Sequence, residues 1–225
     1  MATFVREYRR AFATLGYELK PRDRCAASRI DAAAKRLGIR VPEALRDYYL
    51  VAGCERQFNR IYNRLLRPDE WFVDHCRLVF MEENQAVVLW GVSATDARLK
   101  DPPVFQGVND EPIRWHREHD NCSVFLTVML HWHGAYGAAM RFANTATVPR
   151  GAQKILDREW RFAGTVNKMR AYNRPGQAVC FLKWDDPIQQ MKGGSPWRVF
   201  AGASSKDGLE EIASQLNLTW EAWGA

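Results

Sequence analysis

The sequence predicts an α+β protein in which a mixed or mainly antiparallel β-sheet is flanked by helices. The first observation is a helical N-terminal third, where apolar residues recur every three or four positions. The second is a change from Leu78 onwards to short apolar and β-branched runs separated by turn residues. The third is that regular βαβ alternation is missing, which disfavours a doubly wound sheet. We expect one domain over residues 1–225, with a helical part at 1–70 and a sheet-forming part at 78–225.

Three helices are predicted in the first 53 residues. The first has a continuous apolar face and ends at Gly16, because glycine readily adopts the left-handed conformation that terminates helices. The second covers residues 24–37, with Asp23 as its N-cap. The third lies in LGIRVPEALRDYYLVAG (37–53), where Pro42 suits the first helical position.

A fourth helix is predicted over ERQFNRIYNRLLRP (55–68). Its arginines recur at spacings of four, four and three, and on a helix they would form one exposed row: Arg56, Arg60, Arg64 and Arg67. Such a row could follow a phosphate backbone, and binding would then weaken with salt. Nucleic-acid binding is therefore an alternative function, although a solvated face opposite Ile61 and Leu65 is the favoured interpretation.

The segment LVFMEENQAVVLWGV (78–92) predicts a β-hairpin with EENQ at its turn. Glu82 and Glu83 could instead form a catalytic carboxylate pair. Adjacent carboxylates in a turn splay apart and stay solvated, whereas acid and base catalysis needs two carboxylates facing each other across a substrate. A turn also lacks the apolar pocket that raises a carboxyl pKa. The hairpin interpretation is favoured, with Phe80, Val88 and Trp90 in or beside the core.

The remaining elements follow from local patterns. Residues 93–118 contain three prolines and predict loops with at most one short strand. Helices are predicted over 122–139, with Asn121 as cap, and over 152–170. Strands are predicted at VCFLKW (179–184) and WRVFAGA (197–203), and SSKDGLEEIASQL (204–216) closes the chain with a capped helix.

The charge of the chain is uneven. The net charge is +6, and residues 1–77 hold 16 Lys/Arg against 10 Asp/Glu, whereas residues 78–225 hold 16 of each. The whole basic excess therefore belongs to the N-terminal third, which fits an acidic partner surface or nucleic acid. Nine tryptophans indicate a core or groove built on large aromatic surfaces.

The chain has the pattern of a cytoplasmic protein. Its start is basic but no uninterrupted apolar stretch follows, so a secretory signal is not expected. The longest apolar run, VFLTVMLHW (124–132), is far shorter than the roughly 20 residues of a membrane span, so no membrane association is expected. Five scattered cysteines without a CxxC pair indicate reduced, mostly buried thiols rather than a disulfide framework.

Four histidines offer the strongest alternative to a binding function. His116, His119, His131 and His133 lie within 18 residues, and zinc takes nitrogen ligands in a tetrahedron, so a zinc-dependent hydrolase is conceivable. On the predicted helix, however, residues 131 and 133 point roughly 200° apart. Neither a GxSxG nucleophile motif nor a phosphate-binding GxxxxGK[ST] loop occurs. We expect no catalytic residue, no metal and no cofactor.

Two parts of the sequence resemble the SMI1/KNR4 family, also called the SUKH superfamily. LGIRVPEALRDYYLVAG (37–53) is similar to the family's helical element, and the hairpin LVFMEENQAVVLWGV (78–92) follows it as in that family. DPPVFQG (101–107), then a loop carrying Trp115 and an apolar helix, also resembles bacterial members. The resemblance covers roughly residues 30–140.

The resemblance implies an α+β fold without catalytic apparatus and a function in protein recognition. Bacterial members of the family are similar to immunity proteins, which bind and sterically neutralise the toxin domains of polymorphic toxin systems, and fungal members resemble regulatory scaffolds. The expected partner is therefore a toxin domain or a regulated enzyme. Those that face basic nucleases are usually acidic, so the basic charge of this chain is a departure that leaves the toxin class open. Because Trp, Tyr and Arg dominate interface energies, the expected partner-binding residues are Arg60, Tyr62, Arg64, Trp71 and Trp115.

Overall fold

The computed structural model describes residues 3–95, 99–149, 151–183 and 197–221, and it confirms the α+β class. Contacts between Cα atoms divide these residues into two compact units. The first contains the described residues up to Arg10 and those from Leu19 to Leu126; the second contains Ala11–Glu18 and the described residues from Thr127 onwards. The prediction of a single domain over 1–225 stays a prediction.

The three early helices are present with small shifts. They are α1 (Thr3–Thr14), α2 (Ala27–Leu37) and α3 (Glu43–Ala52). The prediction of Asp23 as N-cap is wrong: this residue closes a 3₁₀ turn, where its carboxylate accepts from the Lys20 amide at 2.7 Å, and Ala26 caps α2. Pro42 occupies the N-cap of α3 rather than its first helical position.

The predicted fourth helix over residues 55–68 is wrong. Turns, a short strand β1 (Asn63–Leu65) and a 3₁₀ turn at Pro68–Glu70 replace it. The carboxylate of Glu55 accepts from the amides of Gln57 and Phe58 at 2.6 and 2.8 Å. The Asn59 side chain donates to the carbonyl of Ala52 at 2.6 Å. Glu55 and Asn59 thus provide hydrogen bonds to backbone groups in and just before this segment without a helix, so the hydrogen bonds of a helix no longer favour the helical conformation here.

The first unit carries an antiparallel sheet in the order β1-β3-β4-β5-β6, with β2 also paired to β3. The strands after β1 are β2 (Phe72–Asp74), β3 (Arg77–Glu83), β4 (Val88–Ser93), β5 (Val104–Val108) and β6 (Arg114–His119). The predicted hairpin is confirmed as β3 and β4. Two strands, rather than at most one, occupy residues 93–118, because the prolines all stand outside the paired stretches.

Helix α4 (Cys122–Ala135) begins as predicted and ends four residues earlier. One face of this sheet packs on the start of that helix, whose residues up to Leu126 belong to the first unit. Phe80 and Trp90 lie against Phe125, with ring centroids 6.0 and 6.1 Å apart. Both side chains are buried, as the hairpin interpretation predicts, whereas Val88 is half-buried. This aromatic core fixes which residues of each strand point to the opposite face.

The second unit carries a second antiparallel sheet in the order β7-β11-β10-β9-β8. Its strands are β7 (Phe142–Thr147), β8 (Arg161–Val166), β9 (Met169–Arg174), β10 (Gln177–Lys183) and β11 (Trp197–Ala203); its later helices are α5 (Ala152–Glu159) and α6 (Lys206–Leu216). The strands at 179–183 and 197–203 and the final helix are confirmed, and Trp184 lies outside the described residues. The predicted helix over 152–170 is half wrong, because β8 and β9 pair where its second half was expected.

Candidate functional site

Trp71 lies inside the first unit rather than on its surface. Its side chain is 1% exposed, its indole nitrogen donates to the Tyr49 hydroxyl at 2.9 Å, and that hydroxyl donates to the Leu66 carbonyl at 2.5 Å. The rings of Trp71 and Tyr49 meet edge to face at 4.9 Å. Burial raises the pKa of Tyr49, which keeps the hydroxyl protonated as a donor. Trp71 is therefore not part of the candidate surface.

The expected helical row of arginines is wrong, but the structure brings the same residues together by another route. Arg64 lies on β1, and its backbone forms an isolated bridge with Arg60. The Arg64 guanidinium bonds Glu70 at 2.5 Å and Glu82 at 2.7 Å. Burial alone would lower the pKa of Arg64, and the bonds to Glu82 and Glu70 outweigh that effect and raise it. Tyr62, between the two arginines, is half-buried.

Arg60 lies in a crowded cationic environment. Partial burial lowers the pKa of Arg60, and the positive charges of Arg67, Arg64 and Arg56 lower it further. The negative charge of Glu70 acts in the opposite direction. An arginine remains protonated at neutral pH in spite of such a shift. The charge of Arg60 is therefore present, partly desolvated, and close to more positive than negative charges.

The strand register places Arg64 and Trp115 on the same face of the sheet. Directly paired residues run from Arg64 through Glu82, Leu89 and Gly107 to Trp115. Since paired residues of neighbouring strands point to the same face, this row faces away from Phe125. Two of the expected site residues, far apart in sequence, thus belong to one surface.

Trp115 lies flat on that surface because two strands carry glycine beneath it. A Cβ at Gly107 would stand 3.0 Å from the indole, and one at Gly91 would stand 3.3 Å from it. The indole nitrogen donates to Asp74 Oδ2 at 2.7 Å. Burial alone would raise the pKa of Asp74, and the hydrogen bonds from Trp115 and His75 hold it below its usual value. A glycine within a strand marks such a close approach, and this signal was available in the sequence.

Further aromatic and basic side chains complete this surface, which we call the Trp115 face and define as Phe72, Asp74, Arg77, Phe105 and Trp115. Arg77 lies 3.9 Å from the centroid of the Phe105 ring, which is a cation–π geometry. Phe72 is 38% exposed, and Phe105 and Trp115 are half-buried. An apolar surface of this kind, rimmed by charged groups, is typical of interaction sites.

The hydrogen bond between Trp115 and Asp74 leads to a stability prediction. Trp115→Phe keeps a ring over the glycines but removes the donor, so we expect the free energy of unfolding to fall by about 1.5–3 kcal/mol, the range for hydrogen bonds to charged groups. Urea unfolding followed by fluorescence measures the change. Trp160→Phe, which removes the hydrogen bond from an indole to the uncharged Gln215, is the control and should cost less. A Trp115→Phe protein as stable as the wild type would show that the indole does not hold this face together.

The four histidines are not gathered into a metal site within the described residues. His116 and His119 lie on β6 in the first unit, while His131 and His133 are buried on α4 in the second. In those same residues no group of three or more His, Cys, Asp or Glu side chains could hold a metal ion. Nothing in this part of the chain favours the zinc-dependent hydrolase.

A cavity of about 510 Å³ in the first unit was not anticipated from the sequence. Its charged lining is largely paired internally: Arg46 bonds Asp31 at 2.6 Å, and Lys100 bonds Glu43 at 3.2 Å. Because four of its five charged lining residues are paired with one another, the cavity offers less to a charged ligand than the arginine-bearing surface does.

Comparison with known proteins gives this chain no relative. No protein-family model, no curated protein and no solved structure matches it. Within the described ranges, no helix combines the length and apolar character that a membrane crossing requires. The geometry of the arginines and of the Trp115 face is therefore what the functional interpretation rests on.

Proposed function

We propose that this chain is a non-enzymatic protein-binding module, and that it acts as an immunity protein which covers the active site of a toxin domain from a bacterial polymorphic toxin system. The resemblance to the SMI1/KNR4 family motivates the class. The observation that carries the proposal is that Arg64 joins the two groups of candidate anchors. It bonds Glu70, whose charge acts on Arg60, and its backbone forms a bridge with Arg60. Through Glu82 it stands in register with Trp115.

The chemistry of this surface suits protein recognition. Tryptophan, tyrosine and arginine contribute most to binding energies at protein interfaces, and the surface combines all three. Exposed Phe72 and Ile61 (38% and 42% exposed) add apolar area near the charged groups. Neutralisation would then be steric, so no catalytic group of this chain would take part in it.

Co-expression tests the proposal. The proposal predicts that a neighbouring reading frame encodes a toxin domain. That domain is induced in a bacterial host, with or without this chain, and growth is followed. We expect the wild-type chain to restore growth and Arg60→Glu to restore it poorly. Arg114→Glu is the matched control, because residue 114 alternates with Trp115 on β6 and points to the opposite face. Among the residues that the structure describes, its side chain bonds Asp110 alone. Equal protection by all three proteins would reject this surface, and no protection by any would reject the immunity function.

A further inference from the structure

The arginines of the first unit form a patch whose charge is not balanced. The arginine patch consists of Arg29, Arg36, Arg56, Arg60, Arg64 and Arg67. Their contacts link them: Arg29 bonds Asp69, and Arg36 donates to the carbonyls of Pro68, Asp69 and Trp71. Arg60 feels the charges of Arg56, Arg64 and Arg67. Against six cations stand three surface carboxylates, those of Asp69, Glu70 and Glu82.

Each of these carboxylates is already bound. Asp69 accepts from Arg29 at 2.6 Å. Glu70 accepts from Arg64 at 2.5 Å and from the Arg67 amide at 2.6 Å. Glu82 accepts from Arg64 at 2.8 Å. The three surface carboxylates are thus paired with Arg29 and Arg64. The buried carboxylate of Glu55 accepts hydrogen bonds from the amides of Gln57 and Phe58.

Three guanidinium groups are left over. Within the described ranges, those of Arg56, Arg60 and Arg67 form no ion pair. Arg60 is half-buried among them, so part of its hydration is lost without a carboxylate in exchange. A partner that supplies carboxylates here would relieve an electrostatic cost that the free protein carries.

We propose that the arginine patch docks an acidic segment of a protein partner, with two or three carboxylates set around an apolar side chain. Guanidinium groups bind carboxylates through two parallel hydrogen bonds, and three of them are open here. Ile61 directly follows Arg60 and is 42% exposed, which gives the apolar side chain its contact. This inference rests on the proposed protein-binding function and names the chemistry of the partner.

A protein segment suits the patch better than nucleic acid does. A nucleic-acid strand presents phosphates in an unbroken series, and its affinity grows with the number that are neutralised. Here the open cations are few, and the side chains of Asp69 and Glu70, which are 62% and 34% exposed, interrupt them. These ion-paired carboxylates break the run of open cations that a continuous phosphate backbone would follow, whereas a peptide can place its own carboxylates only where guanidinium groups are open.

Fluorescence anisotropy of the full chain at low salt tests the inference with three probes. The first is a labelled peptide with glutamates on both sides of a leucine, the second has glutamines in place of the glutamates, and the third is a labelled oligothymidylate of similar length. We expect binding of the glutamate peptide, at least about tenfold weaker with Arg60→Glu, as for loss of a charge-assisted bond, and nearly unchanged with Arg114→Glu. The glutamine peptide and the oligonucleotide should bind more weakly than the glutamate peptide.

Two results would overturn this inference. One is a glutamate peptide that does not bind or binds Arg60→Glu as well as the wild type. The other is an oligonucleotide that binds more tightly than the peptide and loses affinity with Arg60→Glu, which would assign the patch to nucleic acid. Binding of the peptide at the patch, together with failure to protect against the neighbouring toxin, would instead reject the immunity function and leave the acidic-partner inference standing.

Discussion

Gly202→Ala should destabilise the second unit by about 3 kcal/mol, at the upper end of what overpacking of a core costs. Gly202 lies on β11 where helix α4 crosses it. A Cβ at this position would stand 2.1 Å from the carbonyl oxygen of Gly134 and 3.1 Å from the Cα of Ala135. Both are backbone atoms of a helix, so neither can yield by a change of rotamer. Trp132 and Phe200 pack beside this contact with ring centroids 4.9 Å apart.

Urea unfolding of the variant measures the loss, and Gly38→Ala is the control. Gly38 has a φ of +65° and no atom within 4 Å of an added Cβ. Gly38→Ala therefore measures only the free energy of holding an alanine in the left-handed backbone conformation, about 1–2 kcal/mol. If Gly202→Ala costs no more than Gly38→Ala, helix α4 does not lie against β11 as closely as described.

Acid should remove about 3 kcal/mol of stability through His131, given a pKa of about 4 in the folded state and 6.5 in the unfolded chain. Burial lowers the pKa of His131, and the charge of Arg161 adds to that effect, against the opposing bond to the Thr127 carbonyl. The ring donates from Nδ1 to that carbonyl at 2.7 Å and accepts at Nε2 from the Asn173 amide at 2.8 Å. The folded protein therefore holds this imidazole neutral.

The direction of the pH effect follows from which state binds the proton. Below pH 6.5 His131 is protonated in the unfolded chain but stays neutral in the folded protein. Its contribution to the free energy of unfolding is therefore fully present above pH 6.5 and is lost as the pH falls through about 4. Urea unfolding of wild type and His131→Gln between these values measures it. Since the other groups titrate in both proteins, the stability difference between them should shrink by about 3 kcal/mol on acidification. Parallel curves would contradict the buried neutral histidine.

The sequence predicts those elements whose stability depends mostly on neighbouring residues. The hairpin of β3 and β4, the helices α1 to α3 and helix α6 have clear apolar periods and end at glycine, proline or capping residues. Residues 55–68 have a helical period as well, but Glu55 and Asn59 bind backbone groups there and β3 supplies a sheet partner for Asn63–Leu65. Such competition from distant strands cannot be seen in a local pattern.

The same distinction applies to the candidate surface. The sequence identifies Arg60, Tyr62, Arg64 and Trp115 by residue type, but their arrangement depends on partners far along the chain. Asp74 is 41 residues from Trp115, and Glu82 is 18 residues from Arg64. Trp71 is a tryptophan like Trp115, but its indole is buried in the core, where it donates a hydrogen bond to Tyr49, 22 residues away. Register and burial, which sequence spacing does not give, decide which aromatic residues reach the surface.

Titration calorimetry of the purified chain with the neighbouring toxin domain is the most direct test of the central claim, that the arginine patch and the Trp115 face form one partner-binding surface. We expect a one-to-one complex whose affinity falls with added salt and drops at least about tenfold with Arg60→Glu, while Arg114→Glu binds as the wild type does. A complex that forms equally well with Arg60→Glu and with Trp115→Phe would contradict the claim, and so would the absence of any binding heat across a range of temperatures.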